Sequence, residues 1–268
     1  MTDFSFRWAY SAILSFLATV INRYIATFKP RQVEGSVFDA PIDIPRKCAE
    51  SGNRFIVVTT QKSGSTYLNK LINANGIVGH GEALHSGASP QKAQELFAKN
   101  GEDEIVGVTL HFNQMRFQSQ KEKADFFAYL GENDIGVIFL IRGFSIFILL
   151  SWMSQTIDRI SKALRFQKFT NEDIRRYDRG YSSFSDHAKF YIDRKYFRSF
   201  SDWLGSMYRD HISLCEDSNV RFSVIYYEDI CEKDKVSEIF REIFAVDDAI
   251  LTVAMLKRHD NKISDILS

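Results

Sequence analysis

The chain lacks an excess of either charge. Over 268 residues its 34 Lys and Arg are matched by 34 Asp and Glu. There is therefore no global basic field of the kind that draws a protein to nucleic acid, and any anionic ligand has to be met by a local arrangement. Cysteine is scarce as well. Cys48, Cys215 and Cys231 lie far apart with no Cys-x-x-Cys pair. That argues against a disulfide framework and a metal site, and three free thiols suit a reducing compartment. No Asn-x-Ser/Thr triplet occurs, which disfavours a secretory route. Long apolar runs are missing too: the uncharged stretch from Trp8 to Asn22 is shorter than the roughly 20 residues that span a bilayer core.

What is there suits one large domain, since 45% of the residues are hydrophobic, enough for a full core at this length. Residues 1–28 are expected to form an amphipathic or membrane-associating helix. Ser11, Ser15 and Thr19 fall four apart on one face, and Tyr10, Ile13, Leu14, Leu17, Ile21 and Tyr24 on the other. That apolar face can dock on the protein's own core, on a partner, or on a membrane surface through residues 4–28. Arg23, Lys29 and Arg31 after the run outnumber Arg7 before it, which favours a cytoplasmic or peripheral-membrane protein. A Golgi signal-anchor with a lumenal catalytic domain, or a cleaved segment, stays open. Residues 29–53 hold three of the four prolines and no sustained period, so they read as a connector before a domain spanning 54–268.

From Arg54 the pattern alternates. Strands are expected at Arg54–Thr60, Ile105–Leu110, Gly136–Ile141 and Arg221–Tyr226, and helices at Thr66–Asn75, after Ser89-Pro90, at Lys121–Leu130, from Phe144, at Phe197–Leu214, Val236–Phe244 and Asp248–Leu256. Apolar strands alternating with helices predict a three-layer α/β/α domain around a parallel sheet, with ligands at the carboxyl ends of the strands.

Such an end carries TTQKSGSTY, Thr59 to Tyr67. Entering a helix there, the N–H groups of Ser63 to Thr66 and the helix dipole favour an anion by about 0.3–1 kcal/mol when exposed and about 2 when partly buried. Gly64 allows close backbone approach, Ser65 and Thr66 add hydroxyls, and Lys62 adds a charge. Phosphate or sulfate is the ligand this chemistry suits. A plain Ser/Thr helix cap is the alternative. The Gly-x4-Gly-Lys-Ser/Thr order of a nucleoside-triphosphate loop is absent. Further on, VIFLIRGFSIFILLSW puts Arg142 at a strand end and Ser151 nine residues later, an arginine fork and a hydroxyl of the kind a terminal phosphate asks for. SVIYYEDI holds Tyr227, and MLKRHDNKISDIL holds Lys257 and Arg258.

In this order the segments resemble the sulfotransferase family over about residues 54–268. The loop is similar to the family's 5′-phosphosulfate loop, with Gln61 in place of a proline and Tyr67 in place of a tryptophan. Arg142 and Ser151 resemble the 3′-phosphate site, with the spacing of the nodulation-factor and trehalose branch. Gly143 and Phe144 depart from the polar residues usual after the arginine. The resemblance implies a P-loop-like sulfotransferase fold and 3′-phosphoadenosine 5′-phosphosulfate as co-substrate without a metal. It implies that Tyr227 contacts the adenine, that Tyr67 stacks on it, and that Lys62 acts on the leaving phosphate. Lys257 and Arg258 would lie near the 3′-phosphate. Two residues compete as general base: His111, which resembles the catalytic histidine of cytosolic members, and Glu82, which resembles the glutamate of the carbohydrate branch. An imidazole titrates near neutrality as it stands, whereas a carboxylate needs desolvation. His80 and His85 flank Glu82 and could bind acceptor; His187, His211 and His259 read as surface or packing residues. The implied activity is sulfuryl transfer to a carbohydrate or glycolipid-like hydroxyl, with Arg165–Tyr196 as a candidate aromatic lid. A non-catalytic nucleotide-binding protein and, less well matched, a P-loop kinase are the alternatives.

Overall fold

The computed structural model describes residues 42–85, 87–101, 103–143 and 194–247, with Ser145 and Ile148. The expectations for residues 1–28, Ser151, most of the lid segment, His187, the last helix, Lys257, Arg258 and His259 fall outside them. The chain divides into two compact units, Ile42–Gly143 with Leu204–Ser268 and Met1–Pro41 with Phe144–Trp203. In the second, Phe200 and Trp203 bring their rings to 6.0 Å.

The strands of the first unit are β1 (Arg54–Thr59), β2 (Val78–Gly79), β3 (Val106–His111), β4 (Gly136–Ile141) and β5 (Phe222–Tyr226). They form one five-stranded sheet in the order β2-β3-β1-β4-β5, and every pair is parallel. The described helices are α1 (Ser65–Ala74), α2 (Pro90–Phe97), α3 (Gln120–Glu132), α4 (Arg194–Asp217) and α5 (Lys233–Phe244). Central strands are apolar at nearly every position because both faces are covered. Phe55, Val57, Ile138, Leu140 and Ile225 pack with Leu68 and Leu71 of α1 and with Val236 and Phe240 of α5. On the opposite face Phe139 meets Tyr208 of α4 and Phe222 at ring distances of 6.5 and 6.1 Å. Phe127 of α3 lies 5.8 Å from His211. Each such side chain, fully buried, contributes about 1.5–3 kcal/mol.

From central β1 the chain winds to β2 and β3 on one side, then crosses to β4 and β5 on the other. Successive connections thus leave in opposite directions at the carboxyl end of β1, the place where open parallel sheets bind ligands. The two-residue β2 and the 3-10 turns Phe112–Gln114 and Asp229–Cys231 are too short to leave a periodic signal.

The expected connector differs from its reading. From Ile42 onward the chain is already tied to the sheet. Ile42 N–H donates to the Gly143 carbonyl at 2.8 Å, and Lys47 and Val224 exchange backbone bonds of 3.2 and 2.6 Å in an antiparallel bridge. The Tyr226 hydroxyl bonds Ile42 and Ile44 backbone groups. The physical reason is that β5 is an edge strand, and residues 42–49 cover its open side. Arg46 clamps the far end, its Nε and Nη2 donating to the Asp229 carboxylate at 2.6 and 3.1 Å, with Lys235 Nζ at 3.0 Å. Burial pushes the Asp229 carboxyl up, but hydrogen bonds from Arg46 and Lys235 outweigh that and leave it below its usual range. Because Arg46 and Lys235 are themselves well exposed, Asp229→Ala strands no buried charge. Its expected cost is about 1–3 kcal/mol for the lost charged hydrogen bonds, read as a lower urea midpoint with unchanged slope.

His211 is a packing residue, as its sequence reading has it. It is buried, its Nδ1–H donates to the Met207 carbonyl at 2.6 Å, and its ring faces Phe112 and Phe127. Burial, with Lys123 adding to it, pulls its pKa down to about 4. A base with a depressed folded-state pKa has to take up a proton more readily when unfolded, so stability is full above about pH 6.5 and is lost as pH falls toward 4. That loss amounts to about 3 kcal/mol at one pKa unit per 1.4 kcal/mol. Urea titrations at pH 7 and pH 4 on the protein and on His211→Gln check it: the variant should lose less between the two.

Candidate anion-binding and proton-transfer site

The loop after β1 is closed from below. Thr59 Oγ1 donates to the Leu140 carbonyl at 2.7 Å, fastening the ends of β1 and β4. Tyr208 Oη donates to the same carbonyl at 2.8 Å. Ser63 Oγ bonds the Thr60 carbonyl at 2.6 Å and the Thr59 hydroxyl. The Ser63 hydroxyl is thus committed to the inside of the loop. Lys62 and Gly64 are both left-handed, with φ of 68° and 97°, and they curl the chain into the first turn of α1. No described group accepts from the N–H groups of Lys62 to Thr66, while Tyr67 and Leu68 N–H already bond the Gly64 carbonyl. A helix start with open N–H donors, a left-handed turn and a lysine is an anion cradle. Thr66 is exposed beside it and Ser65 is buried.

Arg142 leaves the end of β4 directly toward this loop. Its Nη1 donates to the Lys62 carbonyl at 3.1 Å, and its guanidinium lies 5.0 Å from the Tyr227 ring centroid. Burial pulls the Arg142 pKa below its usual range, with Glu228 and Cys231 pulling the other way. A guanidinium stays charged at neutral pH regardless, so this half-desolvated cation gains from an incoming anion. Glu228 also accepts from Gly143 N–H at 3.0 Å, fixing the turn that carries Arg142. Tyr227 lies against Gly64, where any Cβ would run into its ring, and it meets Tyr67 edge-on at 6.1 Å. It is 7% exposed. Tyr227 therefore serves as the wall of the loop, and the Tyr67 ring beside it is partly exposed.

The two base candidates meet on the other side of the loop. β3 ends at His111, whose Nε2 lies 3.3 Å from Ser65 Oγ. After β2, His80 N–H and the Gly81 carbonyl keep pairing with β3, to the Gly107 carbonyl and the Thr109 N–H, which carries Glu82 alongside His111. Glu82 Oε2 stands 3.5 Å from His111 Nδ1. Burial lowers the His111 pKa most; Glu82 raises it and the Lys62 charge lowers it again, so its imidazole is neutral near pH 7 and free to accept a proton. Glu82 is 49% exposed. His80 and His85 are exposed and bond Asn100 and the Glu82 carbonyl.

Every described candidate is thus in one connected set at the carboxyl edge of the sheet: Lys62 to Tyr67, Glu82, His111, Arg142 and Tyr227. Sequence reasoning missed Gln114, Glu228 and Thr59, which hold that set in place. Gln114 sits three residues past His111, and only its partners reveal it. Among the described residues no group of His, Cys, Asp or Glu side chains is placed to hold a metal ion, and no helix is long and apolar enough to cross a membrane. No protein-family model matches the chain and no curated protein matches it.

Proposed function

We propose that the protein is a sulfotransferase that moves a sulfuryl group from 3′-phosphoadenosine 5′-phosphosulfate to a hydroxyl of a carbohydrate or glycolipid-like acceptor. The observation that carries this reading is the hydrogen bond from Arg142 Nη1 to the Lys62 carbonyl. It joins a lysine-bearing anion loop to a half-buried arginine, two positive sites for one ligand with two anionic ends. The 5′-phosphosulfate would lie on the N–H groups of Ser63 to Thr66, with Lys62 beside the bridging oxygen and Arg142 toward the 3′-phosphate. Tyr67 would flank the base. The carbohydrate preference comes from the nine-residue step from Arg142 to Ser151 and from the Gly81-Glu82 pair.

In this mechanism the acceptor oxygen attacks sulfur in line, the bond from sulfur to the phosphate oxygen breaks, and the acceptor proton passes to His111 Nε2. Lys62 neutralises the charge that collects on the leaving phosphate. Catalysis is by position and charge, as in phosphoryl transfer, and the transfer step needs no group beyond these side chains and the donor. Incubation of the purified protein with sulfur-labelled donor and glycan or glycolipid extracts tests it. Label should appear in an acceptor and vanish with His111→Ala by about 10²–10⁴-fold. Label retained in the donor with every extract counts against transfer.

A further inference from the structure

Gln114 is buried and has both ends of its amide engaged. Its Oε1 accepts from His111 N–H at 3.1 Å and its Nε2 donates to Glu82 Oε2 at 2.6 Å. The amide cannot be turned over: a backbone N–H requires the oxygen and a carboxylate requires the nitrogen. We infer that Gln114 and Glu82 are positioning residues, Gln114 clasping the carboxylate against His111 so that the imidazole proton stays on Nδ1 and the Nε2 lone pair faces the loop. Glu82 is then the partner of the base and takes no proton from an acceptor. This rests on the proposed role of His111.

Glu82 faces His111 from the loop after β2, Lys62 from the loop after β1, and the Ser65 hydroxyl from the start of α1. Gln114 N–H is directed at the same imidazole as a capping donor from its own turn, although His111 Nδ1 completes no full hydrogen bond with a described group. A carboxylate at 3.5 Å and a neutral N–H compete for that nitrogen, and the carboxylate charge favours a proton there. With Nδ1 protonated, Nε2 is the acceptor for the Ser65 O–H. That same lone pair is what an incoming acceptor hydroxyl needs. Ser65 therefore fills the acceptor's place at the base until a ligand on the loop draws its hydroxyl away.

Nitrogen-detected NMR of the full chain, without donor or acceptor, reads the tautomer and titration midpoint of His111. Expected in the natural protein is the Nδ1–H tautomer at pH 7. In Glu82→Gln and in Gln114→Met the midpoint should move to lower pH and the Nε2–H share should rise. The Nε2–H tautomer in the natural protein, or an unmoved midpoint in Glu82→Gln, overturns the inference. Glu82 is half exposed, so that variant keeps the test alive even where Gln114→Met does not fold. Nucleotide binding, measured by calorimetry on the same samples, reports separately on the sulfotransferase reading. Its failure leaves the tautomer result standing, and the converse holds.

Discussion

Lys62→Ala should lower the transfer rate by about 10²–10³-fold, the usual effect of removing one preorganised group aimed at charge developing in a transition state. The loop N–H groups remain, so donor binding should weaken by a smaller factor. This loss is separable from unfolding. Lys62 holds a left-handed backbone at φ 68°, a conformation that costs a non-glycine residue about 1–2 kcal/mol. Lys62→Gly removes both charge and strain. It should be as inactive as Lys62→Ala, yet at least as stable to urea as the natural protein. Inactivity with raised stability identifies the lysine as functional. Activity equal to that of the natural protein in both variants removes it from the mechanism.

Gly64→Ala should be the most damaging single change to the loop. At φ 97° a Cβ is disfavoured by about 1–2 kcal/mol, and at this position it also strikes the Tyr227 ring, which adds about 1–3 kcal/mol of overpacking. Relief comes only if Tyr227 moves, and Tyr227 carries the Arg142 contact. One methyl group should therefore lower the urea midpoint and also abolish nucleotide binding. Tyr227→Ala should cost less in the Gly64→Ala background than in the natural protein, since part of its loss is offset by the relieved clash, and it should not restore binding.

The fold was legible wherever a run of apolar residues had one meaning. Gly136–Ile141 is a strand with the bounds its sequence suggests, because every residue in it is buried and glycine and arginine stand at its ends. A helix start was legible at Ser89, where a side chain caps it and a proline follows. Residues 42–53 were not, because covering an edge strand takes backbone bonds and a few anchors, and neither produces a period. Lys62, the loop and Arg142 were visible as residue types at strand ends, a placement that follows from parallel strands alone. Gln114 was invisible because its role depends on Glu82, 32 residues earlier, arriving beside His111 through the pairing of β2 with β3. Two residues that sequence reading set against each other as bases lie in one chain of contacts.

In the proposed complex the loop bearing Lys62 and the Arg142 guanidinium grip opposite ends of one nucleotide. Isothermal calorimetry of the intact protein with adenosine 3′,5′-bisphosphate and with ATP tests it most directly. The bisphosphate should bind at least about tenfold more tightly than ATP, a difference of about 1.4 kcal/mol, and Arg142→Ala should erase the difference. Equal affinity for the two nucleotides, or a preference that survives Arg142→Ala, contradicts the account.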